Sequence, residues 1–175
     1  MIDIQTVLTY LTLISIPVGV FYHITTLRNA EKARSTQLAT YVSNKLQDLE
    51  RSKIGIELLE TKWTDFNDFL SKYDSTVNVD NYAKRTLIFG IYDELGVLLG
   101  KNLIDIETVY NLVGAQRPLF MWMKFEPIII ELRKRYATPQ QHYWFEYLIK
   151  EMKKERIRRG LPENIVDADA YTTRT

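Results

Sequence analysis

The sequence predicts an all-α chain, with an N-terminal transmembrane helix followed by a cytosolic helical bundle of about five or six helices. Three observations predict it. No Asp, Glu, Lys or Arg occurs between Ile4 and Leu27. Downstream, apolar residues recur at steps of three and four, the period of a helix with one buried face. No stretch alternates apolar and polar residues over the length of a half-buried strand.

The first element is the charge-free run, residues 4–27, preceded by a short tail, residues 1–3. At about 1.5 Å rise per residue it reaches roughly 36 Å as a helix, enough to cross a hydrocarbon layer about 30 Å thick. Half of its residues are Leu, Ile, Val or Phe, each favouring insertion by roughly 0.3–0.6 kcal/mol. Five threonines, Gln5, Ser15, Pro17 and His23 oppose it. A cleaved signal peptide wants a cationic start and a small-residue cleavage site, and the run has neither. A soluble core helix or an interfacial helix wants a polar stripe, which is also missing. Pro17 is expected to kink the helix, and Ser15 with Gly19 forms a small-xxx-small pair of the kind that lets spans approach.

Orientation follows from the flanks. Arg28, Lys32 and Arg34 come directly after the run and nothing basic precedes it. The positive-inside rule then places the tail outside and the rest of the chain in the cytoplasm. The same three residues suit anionic lipid heads. The chain of 175 residues has no cysteine, which excludes a disulfide framework. Its formal net charge of +1 gives no global field for nucleic acid, so that partner is not expected.

The remaining elements follow in order. Residues 28–52 carry Leu38, Val42, Leu46 and Leu49 at helical spacing, a juxtamembrane helix continuing inward, with an interruption expected at Gly55. A bundle domain is expected over 53–160. Ile56, Leu59, Trp63, Phe66, Leu70 and Tyr73 form its first apolar stripe and predict one helix. "YDSTVNVDN" breaks it, and Asp80 or Asn81 is placed to cap the next helix, Tyr82 to Leu99, which Gly100 stops. Asp105 caps a short helix ending at Gly114. Pro118 suits the opening of another, and Pro127 is expected to kink it. Thr138-Pro139-Gln140-Gln141 reads as a capping box for the last helix, which ends at Gly160. Residues 161–175 have little to bury and are expected to be disordered.

The order of segments, an anchor with a basic flank, then "WTDFNDFLSKY", "IYDELGVLLGKNLIDIETVYNLVG" and "WMKFEPIIIELRKRY", resembles a prokaryotic family of single-span, membrane-anchored all-helical proteins known as a domain of unknown function. The positions that carry the resemblance are Glu94, Leu103, Ile104, Asp105, Gly114, Trp122, Pro127 and Arg133. Asn102 stands where that family suggests a glycine. The resemblance implies the architecture and no activity.

No constellation for catalysis emerges, and no cofactor or metal is expected. His23 lies near the inner end of the span, where an ionisable residue is a functional candidate. His142 has only Glu146 one turn on, too few ligands for zinc. The carboxylate pairs Glu57/Glu60 and Asp65/Asp68 lie off the apolar stripe, on a solvated face. Gly90, Gly96 and Gly100 match no phosphate-binding loop, and the segment Lys101 to Glu107 lacks calcium ligands. Glu94 and Arg133 sit in strongly apolar helices, where a charge needs a partner. They are expected to form a buried polar clasp, with Arg117 or Asp105 as further members. "KEMKKERIRR" between Lys150 and Arg159 holds six Lys or Arg and two acids, which suits the helix dipole or a contact with anionic lipid, ligand or nucleic acid. The functional expectation is a membrane-anchored interaction or scaffolding module. Its partners are the lipid bilayer, a second copy of the chain through the span and Leu38–Tyr73, or another protein.

Overall fold

A computed structural model of the chain describes residues 3–114 and 116–165. Among them are seven helices and no strand: α1 (Ile4–Gln47), α2 (Leu49–Glu60), α3 (Phe66–Tyr73), α4 (Val79–Gly100), α5 (Ile106–Val113), α6 (Gln116–Tyr136) and α7 (Tyr143–Arg158). The chain divides into two compact units, Met1–Gln37 and Leu38–Thr175. The first is the longer part of α1. The second is the bundle, which therefore begins well before residue 53.

Within the bundle, α4 is the central helix. It packs along α7 and touches α2 and α3, while α6 covers α2, α3 and α7 from another side. Phe69, Phe125 and Phe145 are fully buried and link these helices through a chain of ring contacts 5–6 Å apart that includes Trp63, Phe89 and Trp122. Such edge-to-face pairs contribute about 0.5–1.5 kcal/mol each beyond area burial. Ala39 and Val42, at the bundle end of α1, are buried in the same core.

Four helix boundaries differ from the expectation, each for a polar reason. The juxtamembrane helix ends at Gln47 and not at Gly55, which lies inside α2. Asp48 leaves the helical conformation and its carboxylate accepts the Arg51 N–H at 3.1 Å, so a new helix starts there. The Ile56–Tyr73 stripe is two helices. The chain leaves α2 at Thr61, whose hydroxyl donates to Leu58 O at 2.6 Å, and re-enters at Asp65, which caps α3 by accepting the Asp68 N–H at 2.9 Å. Asp68 reaches back to the Thr64 N–H at 2.9 Å, a reciprocal box. The apolar period survives because Trp63, although in the connection, packs 5.1 Å from both Phe69 and Phe125.

The third difference is at α7. Thr138 to Gln141 forms a turn, and α7 starts at Tyr143 after His142 in the left-handed region (φ 53°). Its free N–H is met from outside the segment: Asp93 on α4 accepts the Phe145 N–H at 2.8 Å. The start of α4 differs as well: Asn78 caps it by accepting the Asn81 N–H at 2.9 Å, so Asp80 and Asn81 lie inside its first turn. Asp105 caps α5 through the Thr108 N–H at 2.7 Å, and Gly114 and Gly160 take positive φ. In the tail, Arg156 holds Pro162 O at 2.8 Å and Ile165 packs on the core. The disorder expected of residues 161–175 falls mostly on 166–175, which lie outside the described residues.

Candidate functional site

Two features are candidates for function: the apolar N-terminal helix and the polar groups set into the bundle. In the N-terminal unit the large apolar side chains are open on every side. Leu11, Ile14, Val18 and Phe21 are 60–72 % exposed. Segment Leu8–Gln47 contains a stretch long and apolar enough to cross a membrane, and none of that stretch is buried by protein. Among the described residues, the Thr and Ser hydroxyls that weaken the run as a span are satisfied inside it. Thr9, Thr12, Thr25 and Thr26 donate to the carbonyls four residues back at 2.8–2.9 Å, and Ser15 to Thr12 O at 3.0 Å. A hydroxyl already bonded to the backbone loses less on leaving water than a free one. Arg28, Lys32 and Arg34 are exposed and have no acidic partner among the described residues. His23 is exposed on the same helix.

The clasp expected of Glu94, Arg133, Arg117 and Asp105 does not assemble; each finds a different partner. Glu94 pairs with Lys45 at 2.9 Å, joining α4 to the end of α1. Arg133 on α6 pairs with Glu146 on α7 at 2.8 Å and donates to Gln141 O at 2.8 Å. Arg117 donates to the Ser52 hydroxyl at 3.3 Å, and Asp105 is spent on its cap. The physical reason is helix phase. Residues on neighbouring helices meet only when their faces do, and a one-dimensional pattern does not carry that angle.

A polar cluster sits where α4, α6 and α7 meet; the sequence named His142, Glu146 and Arg133 there but not Asp93. His142 Nδ1 donates to Asp93 Oδ2 at 2.7 Å, and its ring stands edge-on to Phe89 at 5.1 Å. Asp93 thus serves both His142 and the backbone of α7. Glu146, beside them, is held below the usual glutamate range: desolvation raises it, but bonds from Lys150 and Arg133 outweigh that. Arg133 Nη2 is a buried donor with no partner among the described residues. The signal for this cluster was present, an aspartate within an apolar helix, but its partner lies 49 residues away.

The basic stretch Lys150–Arg159 is largely engaged within the fold. Lys150 pairs with Glu146 and Lys154 with Glu151. Arg158 and Arg159 cover the Glu155 carboxylate at 2.7 and 2.6 Å. Arg156 binds carbonyls of the tail, and Arg159 also lies 4.2 Å over the Tyr110 ring. The two guanidinium bonds hold Glu155 below its usual range, against desolvation. A lowered carboxylate pKa stabilises the fold fully above the unfolded value, near 4.5, and the contribution is lost as pH falls through the lower folded value. Asp68, held down by Lys72, and Glu146 act with the same sign. The melting temperature of the full chain in detergent is therefore expected to change little from about pH 7 to 5 and to drop below about pH 4. Glu155→Gln should lower the neutral-pH value and shrink the acid drop. An acid profile identical to wild type would refute this role of Glu155.

Comparison with family models, with curated proteins and with solved structures finds no match for this chain.

Proposed function

We propose that this chain is a single-pass protein of the cytoplasmic membrane whose bundle faces the cytoplasm and works as a tethered interaction module. The observation that carries the reading is the unburied apolar helix. Thirteen large apolar side chains between Ile4 and Leu27 are exposed, and such a surface on a soluble chain marks a membrane or partner contact. The absence of charge through that run, its length against the hydrocarbon layer and its self-satisfied hydroxyls all favour lipid. The unpaired Arg28, Lys32 and Arg34 support the inward orientation of everything after the span. The engagement of the basic C-terminal stretch by Glu146, Glu151 and Glu155 leaves it little free charge for nucleic acid. Interaction through the bundle is thus favoured over an electrostatic regulator.

The cysteine-free sequence makes the topology directly testable. In intact cells, a membrane-impermeant maleimide is expected to label Asp3→Cys and to spare Asn67→Cys, on the exposed face of α3, until the cells are lysed. Labelling of Asn67→Cys without lysis would reverse the orientation. Equal labelling of both before and after lysis would remove the span. Crosslinking in native membranes then identifies whether the module's partner is a second copy or another protein.

A further inference from the structure

The bundle contains a cavity of about 430 Å³ between α2, α4 and the α5–α6 connection. That size lies within the range of small-molecule sites, about 300–1,000 Å³. Its lining is divided by chemistry. Ile56, Leu59, Ile88, Leu112 and Met121 are its apolar lining, and Arg51, Arg117, Gln47 and Gln116 contribute polar groups. No aspartate or glutamate lines it. Neither arginine has an acidic partner among the described residues; Arg51 donates to Lys45 O at 3.2 Å and Arg117 to the Ser52 hydroxyl at 3.3 Å. Guanidinium forks left with spare donors and no carboxylate are suited to bind a planar or tetrahedral anion in a bidentate way.

Tyr92 supplies a second, independent sign. It lines the cavity, is 3 % exposed, and stacks on Phe145 at 4.7 Å. Its hydroxyl makes no hydrogen bond to the described residues. The hydroxyl is therefore free to meet a molecule held in the cavity that Tyr92 lines. Burial raises its pKa, against the pull of the nearby Arg117 charge, which keeps it a donor at neutral pH. At the mouth, Ile56 and Leu112 leave 51 % and 39 % of their surface open. Uncovered apolar side chains and unpaired cations are both satisfied by one kind of molecule.

We propose that this cavity binds an amphiphilic anion, a carboxylate or phosphate head on an acyl chain, with Arg51, Arg117 and the Tyr92 hydroxyl on the head and the apolar wall on the chain. The second large cavity makes the contrast. Arg85 lines it, but Asp74 does too, and Arg85 is already bound to Asn81 Oδ1 at 3.0 Å and Tyr73 O at 2.6 Å, tying α4 to the end of α3. An anion there meets a carboxylate, and its arginine has structural work.

The site is tested on the full chain in zwitterionic phosphatidylcholine nanodiscs carrying Leu112→Cys at the cavity mouth. Oleate at about ten times its Kd is expected to slow alkylation by N-ethylmaleimide about tenfold, and to leave Asn67→Cys unaffected. Oleyl alcohol, with the same chain and no charge, should protect little. Adding Arg117→Gln, or Arg51→Gln with Arg117→Gln, should abolish protection, while Tyr92→Phe should weaken it and keep the ring in place. Circular dichroism of each variant separates loss of binding from loss of fold. Nanodiscs doped with phosphatidate distinguish the source: protection there assigns a bilayer lipid, and protection by oleate alone assigns a free acid. Equal protection by oleyl alcohol, protection surviving the arginine substitutions in a folded protein, or no protection by either anion would overturn the proposal.

Discussion

Replacing Ile14 and Val18 together by arginine is expected to move the chain from the membrane pellet to the supernatant after alkaline carbonate washing. Both lie near the middle of the charge-free run, about 60 % exposed and without protein neighbours to shelter a charge. The Leu, Ile, Val and Phe residues of the run supply on the order of 4–7 kcal/mol of insertion free energy, before the polar residues are subtracted. Each central arginine opposes insertion by about 2.5–3.5 kcal/mol, so two remove nearly all of it. Leucine at the same two positions should leave the chain in the pellet. A double-arginine variant that still resisted extraction would show that α1 meets protein and not lipid.

Gly96→Ala should destabilise the bundle by about 3 kcal/mol or more, and lower its melting temperature by on the order of 10 °C. α7 approaches α4 closely at Gly96 because that residue has no side chain. A Cβ there would overlap the carbonyl oxygen of Trp144 and lie 2.6 Å from its carbonyl carbon. Backbone cannot turn aside as a side-chain tip can, so relief requires α7 to shift as a whole. A Cβ at Gly100 would overlap Cζ3 at the far end of the Trp144 ring and lie 3.2 Å from Cη2, and the ring can rotate. Gly100→Ala should cost about 1–2 kcal/mol. Gly90 lies on the same helix with nothing near its missing Cβ, and alanine there should stabilise by about 0.5–1 kcal/mol. Thermal melts of the three variants by circular dichroism check the order. Equal effects at Gly90 and Gly96 would refute the close-approach account.

The same glycines show how far a sequence carries. Gly100 ends α4 as expected, but no local signal separates Gly96, which meets Trp144 of α7, from Gly90, which meets nothing. Asp105 and Gly114 bracket α5 as expected, since a cap needs only the residues within one turn. The Ile56–Tyr73 stripe kept its phase across a break because Trp63 returns to the core from a connection. Periodicity therefore placed Leu59, Trp63, Phe66, Leu70 and Tyr73 against the core, but it left Ile56 half exposed, missed the fully buried Leu58 and Phe69, and misreported the helix. Thr138–Gln141 carried a capping signal that lost to Asp93, a residue on another helix with a better-placed oxygen for α7.

What the residues determined unaided was whatever local chemistry decides: an all-helical chain, a charge-free run long enough for a membrane, and several of the helix ends. Such features depend on backbone hydrogen bonds and side-chain solubility within a few residues. The tertiary structure alone decided which charges meet. It sent Glu94 to Lys45 and Arg133 to Glu146, joined Asp93 to His142, and left Arg51, Arg117 and the Tyr92 hydroxyl without acidic partners around one cavity. Pairing across helices turns on their relative rotation and axial offset, quantities set when the whole core packs at once.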